Sequence, residues 1–101
     1  MRAGDVILFK NKYMNFNEVK FKHIDGTERQ LGGALHKVLG EAVYEVARTK
    51  EMDVLSTKLF TSNGEVELDE REKQLLIEVV EATQFYMWVK TPVMEFLGVN
   101  N

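Results

Sequence analysis

Residues 85–97, FYMWVKTPVMEFL, are the stretch that any fold of this chain has to accommodate. They hold the only Trp, the only Pro and two of the five Met. A chain of 101 residues builds a modest core. So apolar a run therefore has to form that core's central layer or part of a surface that a partner covers. On a helical wheel of ~100° per residue, Phe85, Trp88, Val89, Val93, Phe96 and Leu97 share one face. Met87 and Met94 fall together roughly opposite Phe85, Val89 and Phe96, and Tyr86 lies beside the core face. An internal Pro removes a hydrogen bond and crowds the preceding turn. Thr91-Pro92 thus predicts either a kink or a new short helix capped by Thr91 with Pro92 at its first position.

Upstream, Val6–Phe9 is a short apolar run with strand character, and NKYMNFNE reads as a loop anchored by Tyr13 and Phe16. Val19–Leu31 carries the clearest strand signal. Val19, Phe21 and His23 alternate with Lys20 and Lys22, and Asp25-Gly26 is a turn dipeptide. A two-residue turn would face Lys22 with Arg29, a like-charge pair. A three-residue loop ending in a left-handed Gly26 faces Lys22 with Glu28 and Val19 with Leu31, and is the expected register.

Four helices follow. Leu35, Val38, Leu39, Ala42, Val43 and Val46 form one apolar stripe over 33–48, with Lys37 and Glu41 spaced as an ion pair on the other face. Gly40 and Ala47 flank the stripe and allow close backbone approach. Thr49 is an expected N-cap for 50–61, whose apolar set is Met52, Leu55, Leu59 and Phe60. Asn63-Gly64 ends it. After an extended connector at 65–68, Asp69 and Glu72 have capping-box spacing. Leu75, Leu76, Val79, Val80 and Thr83 mark the buried face of that helix. Gly98 stops the last one. The expected fold class is α+β, in one domain: a small N-terminal β-hairpin or meander (1–31) packed on a bundle of three to four helices (32–98).

Composition excludes several chemistries. The chain has no Cys, so disulfides, thiolate metal sites and cysteine nucleophiles are absent. Only four consecutive apolar residues occur near the start, far short of a signal-peptide core, and no run approaches the ~20 residues of a membrane span. A cytoplasmic protein is the expectation. The net charge of −3 is divided: residues 1–40 carry seven basic against four acidic residues, and residues 41–101 carry six against twelve. Such a split can steer a charged partner or favour self-association, and it can also be neutralised inside one compact fold.

No motif commits the chain to catalysis. His23 and His36 lack a second ligand at helical spacing. A calcium-loop alignment of 59–70 puts Leu59 and Thr61 where carboxylates are required, so Glu65, Glu67, Asp69, Glu70 and Glu72 read as helix-dipole and solvated residues. Ser56 and Ser62 lie outside any nucleophile elbow, and Gly32-Gly33 lacks a phosphate-loop pattern. No cofactor is implied, and the chain reads as a non-enzyme. Two binding surfaces compete. Tyr86, Met87 and Met94, with Tyr44, would form a protein-binding or self-association patch, since Met packs adaptably. Lys10, Lys12, Lys20, Lys22 and Arg29, interleaved with aromatics, would form a nucleic-acid face.

The order of hairpin Asp25-Gly26-Thr27, then QLGGALHKVLGEAVYEV, LFTSNGEVELDEREKQLLIEVVEA and VKTPVMEFL resembles small phage- or prophage-encoded proteins over residues 19–97. That resemblance implies a genomic context and carries over no functional residue. The leading expectation is an accessory protein that binds another protein, self-association included.

Overall fold

A computed structural model describes residues 13–99, and the expected strand at Val6–Phe9 lies outside them. Among these residues four short strands and four helices occur. The strands are β1 (Tyr13–Asn15), β2 (Phe21–Lys22), β3 (Glu28–Arg29) and β4 (Glu65–Glu67). The helices are α1 (Leu35–Val46), α2 (Lys50–Thr61), α3 (Glu70–Ala82) and α4 (Met87–Phe96), and a 3-10 turn covers Phe16–Glu18. The class is α+β.

The charge argument for the hairpin holds. Strands β2 and β3 pair antiparallel with Lys22 opposite Glu28 and Phe21 opposite Arg29. The Thr27 carbonyl accepts from the His23 amide at 2.8 Å, leaving Ile24-Asp25-Gly26 as the loop, with Gly26 at φ +90°. Asp25 closes the turn by accepting from the Thr27 amide (3.0 Å) and hydroxyl (2.7 Å).

The other sheet was not expected. Strand β1 pairs antiparallel with β4, matching Tyr13 to Glu67 and Asn15 to Glu65. The segments read as a loop and as a connector therefore pair with each other. Tyr13 is exposed rather than an anchor, whereas Phe16 is buried and meets Phe96 edge-on at 5.2 Å. The 3-10 turn is tied to the α2–β4 junction: the Phe16 amide donates to Gly64 (2.8 Å) and the Asn17 side chain to the Asn63 carbonyl (3.0 Å). Gly64 holds φ +106°, and a β-carbon there would collide with the Asn17 side chain.

Local capping sets the helix starts. Thr49 accepts from the Met52 amide at 3.2 Å and opens α2. Asp69 and Glu72 make both bonds of a capping box, at 2.7 and 3.1 Å, and open α3. Helix α1 is shorter than its periodicity predicts: Val46 is exposed, and His36 and Gly40 join the buried side. Gly40 lets α2 come close, because a β-carbon there would lie 2.9 Å from the Phe60 amide nitrogen.

Pro92 neither splits α4 nor begins a new helix; it lies inside one continuous segment. Tyr86 is its N-cap residue, so Phe85 and Tyr86 precede the helix. The far end closes with the Val99 amide on the Met94 carbonyl (2.9 Å) and the Gly98 amide on Glu95 (3.0 Å), the pairing of a Schellman turn. Leu39, Val43, Leu55, Leu59, Leu76 and Val80 form the floor of the core, joined by Val89, Val93 and Met94 of α4 and by Leu97 at its end. Each such side chain contributes roughly 1.5–3 kcal/mol on burial. The β2–β3 hairpin packs on α4 through Phe21, whose ring meets Trp88 edge-on at 5.7 Å.

Candidate protein-interaction surface

Because α1 and α2 are joined by a short link and meet closely at Gly40, they leave a groove on their outer side. It has a volume of about 370 Å³ and is lined by Gly40, Glu41, Tyr44, Ser56, Thr57, Phe60 and Thr61. Tyr44 is 67% exposed and Phe60 39% exposed. Phe60, expected in the core, instead forms one wall of the groove, with its amide nitrogen and β-carbon close against Gly40. Lys37 lies with its ammonium 5.4 Å from the Phe60 ring centre. The ion pairs among the described residues join Lys58 to Glu72 (2.9 Å) and Arg71 to Glu51 (3.2 Å) rather than Lys37 to Glu41. The Glu51 carboxylate raises the pKa of Arg71 through its hydrogen bonds and its charge.

The patch expected on the last helix is divided by the structure. Tyr86 and Met87 are strongly exposed, but Met94 is 6% exposed and belongs to the core. The wheel treats a helix as a cylinder with one dry side, whereas cover varies along its length. Met87 stands in the first turn of α4 and is exposed there. Met94 stands where the closing turn brings half-buried Val99 back toward it. Met87 and Met94 still border one concavity of about 470 Å³, with Lys90, Thr91, Glu95 and Val99. Lys90 donates to the Glu81 carbonyl at 3.1 Å on its rim.

Of the basic residues expected to form a nucleic-acid face, Lys20, Lys22 and Arg29 are described. Lys10 and Lys12 lie outside the described residues. Lys20 and Lys22 are exposed, with Lys22 directly across from Glu28. The Arg29 guanidinium stacks 3.8 Å above the Trp88 ring, so its cation is engaged within the chain.

One Ser–His approach resembles catalytic geometry. Ser62 Oγ lies 3.4 Å from Nδ1 of buried His36. That nitrogen is also 3.0 Å from the Leu59 carbonyl, which can only accept, so Nδ1 carries the proton. Ser62 itself donates to Leu59 (2.8 Å) and accepts from the Gly64 amide (3.1 Å). The pair therefore ties α1 to the end of α2 and has no base aimed at the hydroxyl. His23 is exposed on the hairpin. Asp25 is held below its ordinary pKa by the Thr27 amide and then by the Thr27 hydroxyl.

No helix among the described residues is long and apolar enough to cross a membrane. Comparison with protein-family models, curated proteins and solved structures finds no match.

Proposed function

We propose that this chain is a non-enzymatic accessory protein of the cytoplasm that acts by binding protein, with a second copy of itself as a partner. The observation that carries this reading is the α1–α2 groove with Tyr44 and Phe60 exposed on its walls. Large aromatic side chains with a polar tip are favoured at interfaces, where one end is dry and the other wet. Tyr86 and Met87 offer a second apolar area, and the resemblance to phage-encoded proteins is a setting in which such a role fits. A nucleic-acid role has weaker support, because Arg29 is stacked on Trp88 and Lys22 faces Glu28.

Sedimentation across the micromolar range tests the reading. Concentration-dependent association is expected, weakened by Tyr44→Ser or by Tyr86→Ser/Met87→Ser, with circular dichroism unchanged. A chain that stays monomeric throughout removes self-association from the proposal.

A further inference from the structure

If a second copy covers the α1–α2 groove, the pattern along α1 fixes the register in which it does so, resting on self-association itself. Ala34, Lys37, Glu41 and Tyr44 are all exposed. Their spacings of three, four and three residues place them along one side of the helix. A two-fold interface requires that residue i meets j while j meets i. A stripe spaced three-four-three overlays on itself when reversed. Antiparallel alignment then sets Lys37 of each copy against Glu41 of the other, and Tyr44 against Ala34. No like charges face each other in this register.

The end of the stripe supplies an independent fit. Gly32 and Gly33 precede Ala34, are exposed, and have no described atom beyond their chain neighbours within 4 Å of where a β-carbon would stand. Their φ angles are not positive either, since among the described residues Gly26, Gly64 and Gly98 are the glycines that hold such values. Neither space nor backbone conformation within the described residues asks for glycine there. A flat backbone at Gly33–Ala34 is what an incoming Tyr44 ring needs.

We infer that α1 is the self-association face. Two copies meet antiparallel about a two-fold axis that crosses the exposed stripe midway between Lys37 and Glu41, with reciprocal Lys37–Glu41 pairs and Tyr44 seated on the Gly33–Ala34 turn of the other copy. Exposed ion pairs set register more than affinity, so the strength comes from Tyr44 and from Phe60 beside it.

Charge exchange tests the register. Lys37→Glu alone and Glu41→Lys alone should each sediment as monomers, because each sets like charges face to face twice. An equimolar mixture of these two variants should dimerise, since every pair is then opposite. The double exchange in one chain should restore the homodimer. Thermal melts of each variant confirm folding, and the mixture guards against loss of association through misfolding. A wild type that remains monomeric overturns the inference together with self-association. Single variants that still dimerise, while Tyr86→Ser/Met87→Ser does not, overturn this register and leave the general reading standing.

Discussion

The backbone of Gly40 lies against that of Phe60: a β-carbon on Gly40 would stand 2.9 Å from the Phe60 amide nitrogen and 3.0 Å from the Ser56 carbonyl. Two opposing effects act on Gly40→Ala. Helix propensity favours the substitution by about 1 kcal/mol. Overpacking against backbone, which cannot rotate away, costs about 1–3 kcal/mol. The expected outcome is a net loss of stability in urea denaturation, growing sharply for Gly40→Val. A more stable Gly40→Ala variant would show that α1 and α2 can separate freely.

Gly64 has a different constraint, being strained twice by any side chain. Its φ of +106° costs a non-glycine residue about 1–3 kcal/mol, and the new methyl would strike the Asn17 side chain. Gly64→Ala should therefore be destabilised, and adding Asn17→Gly should recover part of the loss. Asn17→Gly alone also loses the bond to the Asn63 carbonyl, so the cost of Gly64→Ala measured in that background reports the backbone conformation. No cost of Gly64→Ala in the Asn17→Gly background would assign the whole effect to the collision.

Met94 and Met87 should respond in opposite ways. Met94 is 6% exposed, and Met94→Ala is expected to cost about 2–5 kcal/mol. Met87 is 68% exposed, and Met87→Ala should change stability by less than about 0.5 kcal/mol. Chemical denaturation separates the two. Equal costs would contradict the cover placed over the second half of α4.

The hairpin turn should be sensitive to acid. Hydrogen bonds from Thr27 lower the pKa of Asp25 in the folded chain relative to the unfolded one. A depressed carboxyl favours the folded state above the unfolded pKa, and that contribution disappears as pH falls through the folded value. The Thr27 amide resonance should therefore titrate at a pH below the ordinary Asp range, and Asp25→Asn should abolish the transition. An ordinary carboxyl midpoint would mean that the turn does not hold the charge.

What could be read in the residues was local. The Lys22–Glu28 register, the Thr49 cap and the Asp69–Glu72 box each follow from groups a few positions apart. The β1–β4 pairing joins three-residue segments far apart along the chain, each with little strand signal of its own. The wheel puts Met94 on the open side for a related reason: its burial depends on what stands over α4, which periodicity within α4 does not encode. Spacing alone puts Phe60 in the core, and its place on the groove wall beside Gly40 depends on how the two helices are set side by side. Tyr44 was recognised as exposed, and its groove became apparent with the fold.

The β1–β4 ladder also bears on the order in which the molecule assembles. Helices α1 and α2 are neighbours in sequence, so their contact requires little loop-closure entropy and can form early. Joining Tyr13–Asn15 to Glu65–Glu67 encloses the hairpin and both of those helices, a long-range closure that becomes favourable only after the helices have shortened the distance. Substitutions in the α1–α2 crossing should then slow refolding, whereas those in the ladder should chiefly speed unfolding. The small sheet behaves as a latch, fastened last and released first.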